Sequence, residues 1–338
     1  MKAAVLREFK EELRVEEVAA PAPAPDEVLI KVEACGVCHS DLHLADGDWP
    51  QLARIIKKPL ILGHEVVGRV VDRGSAVSQP GPGARVGVPW IHWTCGECEL
   101  CKEGRENLCL AQMITGATVD GGFAEFLTAK ASHVVQVPES LDSIEAAPLF
   151  CAGVTVYRAI KNAGIRPGQR VAVFGIGGLG HLAVQIAAQR GSRVIAIDIA
   201  REKLELAMSL GAERIFDASS SDVRRELRAM GGAHFALVTS AAKTAYELAF
   251  GSLRRGGTLV VIGVPAEPLS IPVIAMVGAE TRILSSSVGT REDLRETLEL
   301  AAAGKIRCRV EPRRLDQINQ VFDAMRSGTI LGRVVLKM

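Results

Sequence analysis

One stretch constrains the fold of this 338-residue chain more than any other: "RVAVFGIGGLGHLAVQIAA", residues 170–188. An apolar strand runs into a turn with glycine at 175, 177 and 180, and the turn opens an apolar helix. A second apolar strand, "RVIAID", follows and ends in Asp198. This order of strand, glycine turn, helix and strand predicts a βαβ unit that binds a dinucleotide.

Each glycine of the turn has its own predicted task. Gly175 permits a tight turn, Gly177 lets the backbone approach a pyrophosphate, and Gly180 lets the helix lie close to the sheet. Gly178 lies between them and is expected to bind the coenzyme as well. Asp198 can accept hydrogen bonds from ribose hydroxyls and would repel a 2′-phosphate, so NAD is favoured over NADP. A plain glycine loop before a helix is the alternative, and the flanking strands argue against it.

The length of the chain favours two domains. The pattern of predicted strands and helices changes near residue 150. Before that point, short β-branched runs alternate with Gly and Pro turns, which predicts a β-rich module. After it, strands and helical stretches alternate, which predicts an α/β fold with a doubly wound, six-stranded parallel sheet. The predicted strands are 170–174, 193–198, 214–217, 235–240, 257–263 and 281–287. A helix is expected to begin after Thr290 and to end at Gly304.

Half of the eight cysteines crowd into "CGECELCKEGRENLC". Cys95, Cys98, Cys101 and Cys109 are separated by two, two and seven residues. Four thiolates at this spacing can surround one tetrahedral Zn²⁺ with no open position, as in a structural site. An iron–sulfur cluster also uses four thiolates, and four unligated surface thiols are the plainest alternative.

A second crowded stretch, "CGVCHSDLH" at residues 35–43, points to a catalytic metal. A catalytic zinc needs three protein ligands and one open position, often with mixed sulfur and nitrogen donors. Cys38, the His64 of "GHE" and Cys151 are the candidate ligands. We expect this site where the β-rich module meets the nucleotide domain, because ligand sites favour clefts between domains.

In these motifs, and in "GHEVVG", "CAGVTVY" and the ending "GRVVL", the chain resembles the zinc-dependent medium-chain alcohol dehydrogenases, particularly the short bacterial and yeast-like members. The resemblance covers essentially the whole chain. It implies a GroES-like catalytic domain at 1–151 with a structural zinc lobe at 95–109, an NAD-binding Rossmann domain at 152–288, and a segment at 289–338 that completes the catalytic domain.

The resemblance also implies roles for single residues. Cys38, His64 and Cys151 would bind the catalytic zinc, with Glu65 as an alternate ligand, and Asp41 would hydrogen-bond His64. Ser40 and His43 would form the proton relay from the alcohol. Trp49 and Trp90 would line the substrate pocket. The residues implied in coenzyme binding are His39, Thr155, Lys203, Thr239 and Arg333.

The implied activity is the reversible oxidation of primary or secondary alcohols to aldehydes or ketones, with two zinc ions per chain and hydride transfer to NAD. The resemblance implies a homotetramer whose partners are small alcohols, aldehydes and ketones. The first residues form no apolar signal core, so we expect a cytoplasmic location. A formal charge of +1 predicts no nucleic-acid or membrane partner. A zinc-free NADPH-dependent quinone or enoyl reductase and a non-catalytic, zinc-stabilised nucleotide-binding protein remain the alternatives.

Overall fold

The computed structural model describes residues 1–265 and 267–338. The chain forms two compact units, the first from Met1–Val154 with Val288–Met338 and the second from Thr155–Ser287. Within the described residues, no helix combines the length and the apolar character needed to cross a membrane.

In chain order, the strands are β1 (Lys2–Leu6), β2 (Arg14–Glu17), β3 (Glu27–Val37), β4 (Leu60–Ile61), β5 (Glu65–Arg73), β6 (Arg85–Val88), β7 (Ile91–Trp93), β8 (Met113–Ile114), β9 (Phe126–Lys130), β10 (Val135–Gln136), β11 (Arg170–Phe174), β12 (Arg193–Asp198), β13 (Arg214–Asp217), β14 (Ala233–Val238), β15 (Leu253–Val261), β16 (Arg282–Ser285), β17 (Val310–Arg314) and β18 (Arg333–Lys337).

The α-helices are α1 (His39–Asp46), α2 (Pro50–Ala53), α3 (Glu99–Lys102), α4 (Ser143–Ala146), α5 (Ala152–Ala163), α6 (Gly180–Gln189), α7 (Arg201–Ser209), α8 (Val223–Ala229), α9 (Lys243–Gly251), α10 (Val273–Ala279), α11 (Arg291–Ala302) and α12 (Ile318–Arg326). Short 3₁₀ turns cover Glu106–Leu108, Ala147–Phe150 and Leu315–Gln317.

The second unit contains the predicted parallel sheet. Among its described residues, six strands pair in the order β13-β12-β11-β14-β15-β16, which is the Rossmann order, so the predicted fold class is confirmed. β11 is buried along "VAVF", as expected of a central strand covered on both faces. The start of β15 lies four residues before the predicted one, because Gly256 takes φ +69° and the pairing shifts register instead of ending.

The first unit is β-rich, as predicted. In its described part, the larger sheet follows the order β10-β6-β5-β3-β18-β17, with β9 also paired to β3. Val28, Ile30 and Val32 of β3 alternate into the core. The C-terminal strand β18 pairs antiparallel with β3, with Val334 opposite Val37.

The α11 helix shows how local chemistry sets an element's ends. Thr290 caps it through a reciprocal pair: the Thr290 Oγ1 accepts from the Asp293 N–H, and the Asp293 carboxylate accepts from the Thr290 N–H. Gly304 follows the last turn with φ +67°. Both predicted boundary signals are confirmed.

Three features of the first unit gather the candidate ligands. β3 ends at Val37, so that Cys38 is the N-cap of α1. The pairing of β3 with β5 puts Gly36 opposite Glu65, and a Cβ at position 36 would meet Glu65 Oε2 at 1.9 Å. A side chain at position 36 would therefore displace the Glu65 carboxylate, and glycine lets β3 approach Glu65 closely.

Candidate active site

A mixed sulfur, nitrogen and oxygen cluster lies in the core of the first unit. One donor atom from each of Cys38, His64, Glu65 and Cys151 lies within 4.8 Å of the others. Cys38, His64 and Glu65 are buried and Cys151 is partly buried. The sequence-predicted ligands are thus brought together from segments more than one hundred residues apart in the chain.

Asp41 orients the imidazole of His64. Its Oδ1 lies 2.9 Å from His64 Nδ1, and its Oδ2 accepts from the Cys38 N–H at 2.8 Å. Burial lowers the pKa of His64, but the charge and hydrogen bond of Asp41 raise it well above its ordinary value. Nε2, the other ring nitrogen, is buried and has no hydrogen-bond partner. A buried polar atom without a partner is costly, so a ligand for Nε2 is required, and a metal ion suits it.

The two thiols of the cluster have the spacing that zinc requires. Cys38 Sγ and Cys151 Sγ lie 4.0 Å apart. Two sulfurs bound at 2.3 Å to a tetrahedral zinc would lie about 3.8 Å apart. The hydrogen bond between them holds the pKa of Cys38 well below its ordinary value and raises that of Cys151, so Cys38 is the more readily ionised partner. Donor types and spacing together fit a zinc ion.

Glu65 has a partner that sequence reasoning missed. Arg333, at the start of β18 and only 4% exposed, donates from Nη2 to Glu65 Oε1, while Glu65 Oε2 is buried without a partner. Burial raises the pKa of Glu65 to about 7 despite the nearby guanidinium. The pairing of β18 with β3 could have suggested this contact only with the strand register known. The predicted contact of Arg333 with coenzyme phosphates stays a prediction.

The remaining predicted residues of this unit lie on α1 or pack against a histidine of the site. Ser40 Oγ lies 3.7 Å from Cys38 Sγ, His43 is partly exposed and His39 is exposed. Trp90 meets the His64 ring edge to face, with 4.8 Å between ring centroids, and Trp49 lies 5.1 Å from the His43 ring. Each predicted pocket tryptophan therefore also packs against a histidine of the site.

The four clustered cysteines form a second donor group. Cys95, Cys98, Cys101 and Cys109 offer sulfurs that lie within 4.8 Å of one another. Cys95 Sγ lies 3.9 Å from Cys101 Sγ and 3.6 Å from Cys109 Sγ, close to the separation of about 3.8 Å in a tetrahedral zinc–thiolate site. The Cys98 backbone N–H, at 3.4 Å, and neighbouring donors lower the pKa of Cys95 to about 6. Four thiols and no mixed donor fit a closed zinc site.

Two contacts that the sequence did not reveal anchor this cysteine lobe, residues 95–109. The Thr94 N–H, just before Cys95, donates to His133 Nε2 at 3.1 Å. At the other end, Glu106 accepts hydrogen bonds from the backbone and the guanidinium of Arg291. Both contacts join residues far apart in the chain, so spacing offered no signal for them.

In the second unit the glycine turn has the form that a dinucleotide requires. Gly175 takes φ +91°, and a Cβ at Gly180 would meet the Gly175 oxygen at 1.9 Å. At Gly177 a Cβ would meet nothing within 4 Å, which leaves the space that a phosphate would fill. Asp198 Oδ2 accepts from the Ile176 N–H at 2.6 Å, which ties the end of β12 to the turn. These residues fit NAD or NADP.

The other predicted coenzyme residues of the second unit lie on different elements. Thr239 donates from Oγ1 to the Gly175 oxygen at 2.5 Å. Thr155 lies in α5 and Lys203 in α7, and both are partly buried, as is Gly178 in the turn itself. Thr239 is thus bound to the turn by a direct hydrogen bond.

Comparisons with known proteins agree with this chemistry. Residues 24–139 match the alcohol dehydrogenase GroES-like domain, and residues 178–303 match the zinc-binding dehydrogenase family. An alcohol dehydrogenase from Geobacillus stearothermophilus is 48% identical over the full length of both chains. The crystal structure of an alcohol dehydrogenase from the archaeon Aeropyrum pernix is 36% identical, covers all of both chains and has a TM-score of 0.94.

A third protein shows a coenzyme. A structure from Sinorhizobium meliloti 1021, described as a zinc-binding dehydrogenase and bound to NADP, is 30% identical. It covers 100% of this chain and 99% of its own, with a TM-score of 0.90.

Proposed function

Because the chain belongs to the zinc-dependent medium-chain alcohol dehydrogenase family, we propose that it oxidises small primary or secondary alcohols, and reduces the matching aldehydes or ketones, with NAD as its coenzyme. The observation that carries the proposal is the buried cluster of Cys38, His64 and Cys151, in which the His64 Nε2 lacks a protein partner. A structural protein would have little reason to bury such a group unpaired.

The coenzyme preference is argued from Asp198. Its carboxylate ends β12 beside the glycine turn and accepts N–H bonds from Ile176, Ile199 and Ala200. A fixed negative charge there accepts ribose hydroxyls and repels a 2′-phosphate. The related structure with bound NADP means that family membership alone leaves the coenzyme open. We propose that Thr155, Lys203, Thr239 and the glycines of the turn bind NAD, with His39 and Arg333 at its phosphates.

Different residues of the first unit bind the metal, orient its histidine ligand and remove the substrate proton. When bound, zinc supplies a Lewis acid that makes a substrate hydroxyl easier to deprotonate, and NAD supplies the hydride acceptor. Cys38, His64 and Cys151 hold the metal and Asp41 keeps the His64 Nε2 turned toward it. Ser40, beside Cys38, takes part in removing the hydroxyl proton.

Four further residues of this unit complete the proposed site. His43 receives the proton at the solvent end of the relay, because its imidazole is partly exposed and a ring nitrogen can accept a proton. Trp49 and Trp90 narrow the substrate pocket, which favours small or slender alcohols. Glu65, held by Arg333, is proposed as the alternate zinc ligand.

The test is a screen for NADH and NADPH formation with primary, secondary and benzylic alcohols. We expect turnover with at least one class and a higher kcat/KM for NAD than for NADP. Asp198→Asn should lower that ratio, since it removes the charge but keeps an oxygen that can accept from Ile176. A ratio that does not change in the variant would remove Asp198 from this role. No turnover with any class would contradict the proposed substrates.

Metal analysis separates the proposal from its alternatives. A dehydrogenase with both sites filled should hold two zinc ions per chain. A zinc-free reductase should hold none, and a non-catalytic zinc protein should hold one, in the Cys95 to Cys109 set. The two separate donor groups favour the first outcome. We further propose that the enzyme is a cytoplasmic homotetramer, which light scattering and cell fractionation would test.

A further inference from the structure

We propose that Asp48 is a positioning residue that orients His43 as the proton outlet, and that an acid-lined cleft beside Asp48 receives the proton. This inference rests on the proposed function, in which His43 ends the relay. It adds a residue and a destination that neither the sequence motifs nor the family comparison supplied.

The turn after α1 brings Asp48 back toward His43. Gly47 takes φ +69° and its N–H bonds to the carbonyls of His43 and Leu44, which ends the helix. The Asp48 N–H then donates to the His43 oxygen at 3.0 Å. Because a residue with left-handed backbone reverses the chain here, the side chains of Asp48 and Trp49 come to lie against His43.

Those two side chains contact His43 in different ways. Asp48 Oδ2 lies 2.8 Å from His43 Nδ1. The Trp49 ring packs at 5.1 Å between centroids and at 36° to the imidazole plane. The Asp48 hydrogen bond fixes the position of Nδ1, and the packing of Trp49 limits tilting of the ring plane. His43 is thus held on two sides by consecutive residues.

The carboxylate also decides which nitrogen is available. An ionised carboxylate can only accept a hydrogen bond, so His43 Nδ1 carries the hydrogen and Nε2 keeps its lone pair. Each turnover then adds one proton at Nε2, where an N–H bond forms as the relay O–H bond breaks. The resulting imidazolium, whose charge faces Asp48, returns one proton to water. Among the described residues, the His39 ring also lies near His43, with 6.5 Å between the ring centroids.

The proposed destination of the proton is a cleft beside Asp48. Asp48 lines a cleft of about 470 Å³. Carboxylates outnumber cations along it: Glu11, Glu12, Asp46, Asp48 and Asp323 against Lys10 and Arg326. A negative lining attracts positive charge, so it favours a proton on the water that enters this cleft. The Asp48 side chain is 48% exposed, so water reaches it directly.

The experiment compares four variants in steady-state alcohol oxidation. We expect Asp48→Asn to lower kcat about tenfold with KM nearly unchanged and to raise the solvent isotope effect, because proton transfer becomes slower. Asp48→Glu should restore most of kcat. Asp26→Asn is the matched control, because it removes an exposed carboxylate of the same unit that pairs with Lys130 and lies outside the cleft. It should leave kcat unchanged. His43→Asn should cost about a hundredfold.

The outcomes separate the inference from the proposed function. Full activity in His43→Asn would overturn the proton route itself. If His43→Asn loses most of its kcat while Asp48→Asn keeps the wild-type kcat, the proton route stands and the role of Asp48 is rejected. An Asp48→Asn enzyme that is slow, has an unchanged solvent isotope effect and is not restored by glutamate would make Asp48 merely structural, and so would also overturn the inference. Equal losses in Asp26→Asn would assign the effect to loss of surface charge in general, and would also overturn the inference.

Discussion

The two cysteine-containing donor groups of the first unit differ in how far apart their members lie in the chain. Cys95, Cys98, Cys101 and Cys109 lie within fifteen consecutive residues. Cys38, His64, Glu65 and Cys151 come from three separate segments, the last more than one hundred residues from the first. The first group is set by one loop, and the second exists only once a sheet has formed.

They also differ in what surrounds the donors. The lobe cysteines are mostly half-exposed and offer sulfur alone. The other group is largely buried and combines sulfur with imidazole. Its carboxylate, Glu65, accepts a hydrogen bond from Arg333. A closed set of four thiolates stabilises a fold, whereas three ligands with a vacant position support chemistry. The comparison predicts that damage to one group affects stability and damage to the other affects turnover.

The largest expected effect is on catalysis. Cys38→Ala should lower kcat/KM by at least about a thousandfold, because loss of a ligand removes the metal's electrostatic contribution of several kcal/mol. The fold should persist, as judged by circular dichroism, and one zinc per chain should remain. Cys35→Ala is the control: it removes a buried thiol three residues earlier, on β3, that belongs to neither donor group. Comparable inactivity in both variants would mean that Cys38 acts through packing.

The lobe should show the opposite pattern. Cys98→Ser should release the second zinc and lower the free energy of unfolding by about 3 kcal/mol or more, since metal binding contributes directly to folding. Turnover per folded molecule should change little when assayed at low temperature. Glu97→Gln, an exposed neighbour within the same loop, should leave zinc content and the melting temperature unchanged. A catalytic loss that exceeds the stability loss would break the distinction between the two groups.

A change in Asp41, which contacts the ligand His64, should have an intermediate effect on turnover. Asp41→Asn should weaken zinc retention and lower kcat about 10- to 100-fold, because the amide no longer fixes the His64 ring as firmly. The measurement is zinc loss against a chelator, followed beside activity. Readdition of zinc should restore part of the activity. If zinc retention equals that of wild type, Asp41 does not tune the metal.

The smallest effect concerns pH and the residues beside the lobe. Burial lowers the pKa of His92 and His133 to about 4, whereas an unfolded histidine titrates near 6.5. Between these values only the unfolded chain binds the proton, so stability is complete above about pH 6.5 and falls as the pH drops toward 4. For His92 the loss should reach about 2 kcal/mol at pH 5.

Urea denaturation at pH 5 and pH 8 measures this loss. His92→Gln should show a smaller difference between the two pH values than wild type. His39→Gln, which replaces an exposed histidine, should keep the wild-type difference. An identical pH dependence in wild type and His92→Gln would contradict the assignment.

Sequence patterns anticipated the elements whose signals are local. The parallel sheet, the glycine turn and the capped helix α11 were readable because each depends on residues close together in the chain. The extended start of β15 was not, because Gly256 reads as a turn although the strand continues through it. Pairing with β14 overrides local preference there.

The amino-acid sequence by itself determined the donor types, the lobe of four cysteines and the strand–glycine–helix unit, since spacing along the chain sets which of these groups can meet. Only the tertiary structure decided that Arg333 holds Glu65, that His133 and Arg291 anchor the lobe, and that Asp48 faces His43. These contacts depend on strand register and on the direction of a single turn at Gly47. Both are set by long-range packing and by backbone dihedrals, so residue spacing carries no record of them.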